Sequence, residues 1–214
     1  MTSRPPEFSS EFRQTFADLI RWRRDVRRFR PDPVDSALID QCLELASQAP
    51  SVGLSQPWRF VELIDRQRRE RVIASFERSN EAALASYDGD TATQYARLKL
   101  EGLREAPVQI AVFADETTAK GKRLGRRTMP EMLHYSVVTA VHTFWLAARA
   151  HGLGVGWVSI LQPDEVAAAC DAMPEWSLIA YLCVGWPVEQ TDRPELERAG
   201  WETRGSLNGC FRRL

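Results

Sequence analysis

MPEMLHYSVVTAVHTFWLAARAHGLGVGWVSIL, residues 129–161, decides how the chain is read. Between Glu131 and Arg149 it contains no Asp, Glu, Lys or Arg. Leu133, Val137, Val141, Phe144 and Ala148 recur at helical spacing and define one face. Ser136, Ala140, Thr143 and Ala147 define a second face of small residues, which another backbone or a flat ligand can approach closely. A helix apolar nearly all round is expected to be buried, and this one is short for a membrane span and carries two His. Gly152 and Gly154 stop it. Val155–Leu161 is short, apolar and rich in β-formers, and is expected as a buried strand.

Working outward, the 214 residues suggest one domain or a domain with an elaboration. Hydrophobic residues make up 44% and charged residues 27%, the balance of an ordinary globular protein. A formal net charge of -1 gives no global pull toward nucleic acid or an anionic membrane. MTSRPPEFSS has no apolar core for a secretory signal, and residues 1–10 are expected as a loose arm. Cys42, Cys170, Cys183 and Cys210 are scattered without a C-x-x-C spacing, which fits a reduced, cytoplasmic protein. No metal site is expected: His134 and His142 stand two helical turns apart, with no ligand residue at suitable spacing.

Before the central stretch, Phe12, Phe16 and Leu19 mark a helix from Glu11. It runs into RWRRDVRRFRPDP, where six Arg fall within residues 21–30 and Asp25 is the only acid. Pro31 and Pro33 force an extended exit. A solvated basic helix end is the plain reading. A phosphate clamp is the sharper one, because the planar fork of Arg donates to two oxygens at once. Asp25 can then orient the arginines or act on a ligand.

Val34–Gln48 reads as a second helix, APSVGLSQPW as turn chemistry, and Arg59–Ile64 as a strand. Gln67–Tyr87 and Thr91–Arg104 read as helices. Ala106–Ala114 is a strand covered on both faces. Asp115–Pro130 is polar, basic and too poor in apolar residues to fold by itself, so it is either a mobile surface loop or an active-site lid. Pro163–Cys170 is a short helix with acids at its positive end, and Ser177–Gly185 is a further central strand. The tail carries Trp186, Trp201 and Phe211, so part of it must dock. Gly152-Leu153-Gly154-Val155-Gly156 is not a dinucleotide fingerprint, because here a helix precedes the glycines and a strand follows them. The residues alone lead to an α+β enzyme or binding domain with an Arg-rich anion site and a basic loop that is either a lid or a surface loop.

Several segments together resemble the flavin-dependent nitroreductase superfamily. They are Arg23-Arg24-Asp25-Val26-Arg27-Arg28-Phe29, Ala49-Pro50-Ser51 with Gln56-Pro57-Trp58, the central helix into Gly152-Leu153-Gly154, and Val184-Gly185-Trp186-Pro187. Common members have Ser where this chain has Asp25, and usually Asn where it has Leu54. Asp25, the central stretch and the tail PELERAGWETR resemble one branch, the 5,6-dimethylbenzimidazole synthase (BluB) family. The resemblance implies a single nitroreductase-like domain over 1–214, with a mixed or antiparallel sheet flanked by helices in an intertwined homodimer. It implies a lid within 88–130 and a tail, 187–214, that reaches the partner subunit.

The implied reaction consumes reduced FMN, as substrate, together with O2. Its products are 5,6-dimethylbenzimidazole, the lower ligand of vitamin B12, and erythrose 4-phosphate; a separate flavin reductase would supply the reduced FMN. Arg23, Arg24 and Arg27 are then expected at the ribityl phosphate and pyrimidine edge, with Val26 beside them. Arg204 is a further phosphate contact. Pro50 and Ser51 reach the flavin from the partner chain, Ser159 lies near N5 and the oxygen, and Leu98 or Lys99 belongs to the covering segment. Asp25 and Ser159 are the catalytic candidates. An NAD(P)H-dependent nitroreductase or flavin reductase is the alternative, and a flavin-storage protein a third reading. A storage protein needs no carboxylate at Asp25, whereas proton transfer does.

Overall fold

The computed structural model describes residues 5–213, so residues 1–4 of the expected N-terminal arm, and Leu214, lie outside it. Residues 5–9 are not helical. Helix α1 (Ser10–Trp22) starts where the Ser9 hydroxyl accepts the Phe12 N–H at 3.1 Å. The same device starts α2 (Ser36–Ala46), where Asp35 accepts from Ala37, and α3 (Arg66–Ala85), where Asp65 accepts from Arg68. Each cap satisfies an amide that the first helical turn leaves without a partner.

Strand β1 (Trp58–Glu62) lies between α2 and α3, and α4 (Gly89–Tyr95) follows α3. The helix expected over Thr91–Arg104 is therefore shorter and earlier. After Tyr95 the chain turns, because Lys99–Glu105 is knotted by its own side chains. The Lys99 ammonium donates to Glu101 at 3.1 Å and to Glu105 at 2.8 Å, and Glu101 also takes the Leu103 amide. Next come β2 (Val108–Asp115), a short 3-10 turn at Lys120–Arg123, α5 (Met132–Ala150), β3 (Gly154–Val158), α6 (Pro163–Ala169), β4 (Trp176–Gly185) and α7 (Glu195–Arg198).

The four strands form one sheet in the order β1-β2-β4-β3, every pair antiparallel. Side chains alternate across it. Val108, Ile110 and Val112 of β2, with Leu182 and Val184 of β4, pack under α2 and α5. Ala111, Phe113, Tyr181 and Cys183 pack under α3 and α6 on the other face. The register slips once, after Val112, where Ile179 is the extra residue on β4.

Helix α5 spans the first layer and contacts all four strands. Leu133, Val137, Val141, Phe144 and Ala148 are buried, as their spacing required. Its small face receives a backbone, since the Ser136 hydroxyl accepts the Val52 amide at 3.0 Å. The helix ends in a Schellman motif: Gly152, at φ 82°, donates to the Arg149 carbonyl and Leu153 to that of Ala148. Burial all round does not hold, however. Tyr135 is 50% and Val138 39% exposed, and His142 beside them is exposed too, because no element among the described residues covers that stripe. Helix α1 likewise buries none of its residues fully and leaves Phe12, Phe16 and Ile20 exposed. Among the described residues no helix is long and apolar enough to cross a membrane.

Candidate active site

The arginine-rich segment leaves α1 at Arg23 in an extended conformation and runs beside β3. The Val26 amide donates to the Val155 carbonyl at 3.0 Å, and Asp25 bridges Val155 in the parallel sense. Farther on, Arg30 donates to Trp186 and Val188 donates back to Arg28. The segment therefore adds an irregular strand to the sheet edge. Gly154 and Gly156 make room for it. A Cβ on Gly156 would stand 2.1 Å from the Val26 carbonyl oxygen, and one on Gly154 would stand 2.8 Å from a Val26 methyl. The glycine repeat that resembles a dinucleotide loop thus serves strand packing.

This placement fixes both oxygens of Asp25. Oδ1 accepts the Trp157 amide at 2.9 Å. Oδ2 accepts Arg27 Nε at 3.1 Å and also Arg27 Nη2. The third Arg27 nitrogen, Nη1, donates to the Lys99 carbonyl at 3.4 Å. Arg24 turns to the tail and donates to the Asp192 carbonyl at 2.9 and 2.6 Å. The Arg23 guanidinium lies 4.7 Å above the Trp145 ring, and the Trp145 indole N–H donates to the Arg24 carbonyl. Arg204 comes from the tail and lines one cavity of about 150 Å3 with Arg23, Arg24, Asp25 and Arg27.

Neither the Arg23 nor the Arg204 guanidinium donates a hydrogen bond to a protein acceptor among the described residues. Burial draws the Arg23 pKa down from its ordinary value, Asp25 opposes this and Arg204 adds to it. Burial also lowers Arg24, followed by Arg204 and Arg23. The two carboxylates that line this cavity, Asp25 and Glu195, are already taken by Arg27 and Arg28, so the cluster is built to receive an anion. A phosphate monoester fits, because it offers several oxygens to forked donors. A lowered folded-state pKa means that the charged form is penalised in the fold at every pH below the guanidinium's own titration. Neutral pH does not relieve that cost, whereas a bound anion does. A phosphate monoester at a hundred times its Kd is expected to stabilise the protein by about 2.7 kcal/mol, raising Tm by about 5–10 °C in calorimetry. Arg23→Ala combined with Arg204→Ala should remove most of that rise.

The other expected residues are placed as follows. Leu98 is half-buried beside Lys99, whose carbonyl meets Arg27, so the 98–101 segment abuts the site. Burial works against the Lys99 ammonium, but its bonds to Glu105 and Glu101 outweigh this and hold its pKa above the ordinary value. Ser159 is exposed just past the end of β3, two residues beyond the Trp157 amide and so about 7 Å along the chain. Pro50 and Ser51 stand elsewhere in the same chain. The Pro50 carbonyl accepts the Thr139 hydroxyl at 2.8 Å, and the Ser51 hydroxyl accepts the Gln56 amide at 3.1 Å. Thr139 and Trp145 are six residues apart on α5, so the Pro50 turn and the Arg cluster sit about 9 Å apart along that helix.

The segment 88–130, expected to hold a lid, divides into two halves. Residues 96–105 adjoin Arg27, whereas the 3-10 turn at Lys120–Arg123 packs on the Val52–Leu54 turn. Residues 187–201 dock on their own chain, through Arg24 to Asp192, Arg28 to Glu195, and Trp201 against Tyr87 and Tyr95. The arginines released by the extended segment find their acceptors there. Trp145, the Trp157 amide and the Lys99 and Asp192 carbonyls are site components that residue types did not reveal. Only Trp145 had a signal, an indole N–H in a stretch free of Asp, Glu, Lys and Arg.

A profile of the Nitroreductase family matches residues 20–186. The chain is 56% identical over 199 residues to a 5,6-dimethylbenzimidazole synthase of Rhodospirillum rubrum, covering 93% of this chain and 94% of that protein. It is 45% identical over 195 residues to a Rhodobacter capsulatus protein of the same name, covering 91% and 94%. Among solved structures it is similar to oxidised iodotyrosine deiodinase bound to FMN and 3-iodo-L-tyrosine, with TM-score 0.70 and 26% identity over 82% of this chain and 91% of the other. It also shares its fold with a BluB-like flavoprotein of Clostridium difficile 630, with TM-score 0.69 and 20% identity over 93% and 98%.

Proposed function

The chain belongs to the Nitroreductase family, and from that premise we propose that it cleaves reduced FMN with O2 to 5,6-dimethylbenzimidazole, erythrose 4-phosphate and a fragment that carries off the four remaining pyrimidine-ring carbons with their two nitrogens. The benzimidazole then serves as the lower ligand of vitamin B12. The observation that carries this reading is Asp25, a carboxylate gripped at both oxygens inside an arginine cluster. A flavin reductase that passes electrons through the ring has no use for a base at that point, whereas cleaving the ribityl carbon chain does. The two synthases of Rhodospirillum rubrum and Rhodobacter capsulatus, similar over nine-tenths of the chain, support it.

When bound, reduced FMN supplies the electrons and the carbon skeleton. The residues of this chain bind, orient and cover it. Arg23 and Arg204 hold the phosphate, and Arg24 fixes the tail that brings Arg204 to the cluster. Asp25 accepts protons beside the ribityl chain. Ser159 stands at the ring edge from the end of β3. Leu98 and Lys99 cover the site and keep water from it.

Pro50 and Ser51 come from a second copy, in a homodimer. The uncovered Tyr135 and Val138 of α5 and the uncovered Phe12 and Phe16 of α1 supply its apolar surface. Phe12→Asp with Phe16→Asp is expected to give monomers by sedimentation and to lose FMN binding. A wild-type protein that sediments as a monomer at micromolar concentration would contradict the dimer. Reduced FMN comes from a separate reductase, and the protein acts in the cytoplasm.

The function is tested with FMN labelled with 13C in its dimethylbenzene ring, a chemical reductant and air. Labelled 5,6-dimethylbenzimidazole is the expected product by mass spectrometry. NADPH-driven reduction of a nitroaromatic acceptor without labelled benzimidazole would favour the reductase.

A further inference from the structure

Residues 117–130 hold five cations, Lys120, Lys122, Arg123, Arg126 and Arg127, and no acid, in a chain whose formal net charge is -1. The acids just before them are spent, since Asp115 pairs with Arg59 at 2.6 Å and Glu116 with His134. Lys120 donates to the Gln56 side-chain oxygen and Arg126 to the Thr118 carbonyl at 3.1 Å, both neutral acceptors. The side chains of Lys122, Arg123 and Arg127 are exposed and bond to no acceptor among the described residues.

The loop is nonetheless held in place. A Cβ on Gly121 would stand 2.6 Å from the Gly53 carbonyl oxygen, and one on Gly125 would stand 2.7 Å from a Val52 methyl. Lys122 and Arg123 lie at φ 50° and 60°, a left-handed conformation that residues with side chains keep only where their surroundings impose it. Gln56, which accepts from Lys120, also gives its amide to the Ser51 hydroxyl at 3.1 Å. The cations are therefore displayed at a fixed place beside the turn at Pro50 and Ser51.

We propose that this basic loop is an electrostatic funnel at the mouth of the partner subunit's flavin site, where it steers the phosphate of incoming FMN. The inference rests on the proposed function in taking Pro50 and Ser51 to reach the flavin of a second copy. A flavin kept as a cofactor binds once, and its association rate matters little. A flavin consumed at every turnover must be captured anew each time. A field of one sign at the entrance raises that rate by about 10–10³-fold.

Lys122→Gln, Arg123→Gln and Arg127→Gln, combined in one protein, test it, because none of the three side chains makes a bond whose loss would disturb the fold. Association and dissociation of oxidised FMN are followed by stopped-flow fluorescence from about 20 mM to about 500 mM salt, which shortens the screening length from about 20 Å to about 4 Å. At low salt the variant should associate about tenfold more slowly than wild type, with dissociation within about twofold, and at high salt the two should converge. Riboflavin, the same ring without the phosphate, should associate with both proteins at one rate.

An unchanged FMN association rate at low salt would overturn the proposal. Equal slowing of riboflavin would also overturn it, making the loop a steric gate. If the wild type returns intact FMN after O2, cleavage fails as the function, while these rates, which need no turnover, still decide the steering.

Discussion

Asp25→Asn is expected to keep its FMN and to lose benzimidazole formation by about 10²–10⁴-fold, the range for removing a placed general base. Asparagine preserves the shape of the side chain, and its oxygen can still accept the Trp157 amide that Oδ1 accepts at 2.9 Å. It cannot take a proton, and it no longer ion-pairs with Arg27. Because the cavity then holds the same arginines and one carboxylate fewer, with Glu195 still paired to Arg28, oxidised FMN should bind at least as tightly as to wild type. Rapid quench with mass spectrometry measures the product, and fluorescence quenching measures the affinity. A normal benzimidazole yield from this variant would remove Asp25 from the chemistry. Lost binding with unchanged yield per bound FMN would make it a structural residue.

The second large effect is on the scaffold. Gly156→Ala places a Cβ 2.1 Å from the Val26 carbonyl and 3.7 Å from Asp25 Oδ1. The first contact is with backbone, so no rotamer change relieves it, and the 25–27 segment must leave β3. Overpacking of this kind costs about 1–3 kcal/mol, or a fall of about 2–12 °C in Tm for a chain of this size. FMN affinity should fall by more than about tenfold, because Arg23, Asp25 and Arg27 all ride on the displaced segment. Gly209→Ala is the control, since a Cβ there meets nothing within 4 Å. A Gly156→Ala protein that binds FMN normally would mean that the segment's seat on β3 does not organise the site.

The central helix and all four strands were legible because each buries a periodic or continuous apolar run, and nothing in their tertiary setting overrides it. The helix expected after Thr91 was misread for a physical reason. Leu98, Leu100 and Leu103 keep an apolar rhythm, but the chain there must present the Lys99 carbonyl to Arg27. It must also press Gly102 against the Phe29 ring, which a Cβ would approach to 2.4 Å.

The anion site was legible as composition, six Arg around one Asp, but its division of labour was not. Arg24 is claimed by the Asp192 carbonyl and Arg27 by Asp25 and the Lys99 carbonyl. Two of those acceptors are backbone atoms, which look alike in every residue. The stripe Tyr135, Val138 and His142 was equally unreadable, because an apolar helix face does not say whether its own chain or another will cover it.

The most direct test of the central claim is one oxygen addition. The purified protein is loaded with FMN and reduced chemically without air. O2 is then admitted while the flavin absorbance is followed. The account predicts that the yellow colour fails to return in full and that the missing flavin is recovered as 5,6-dimethylbenzimidazole. Quantitative return of oxidised FMN with no benzimidazole would contradict it and leave the protein a flavin reductase or carrier.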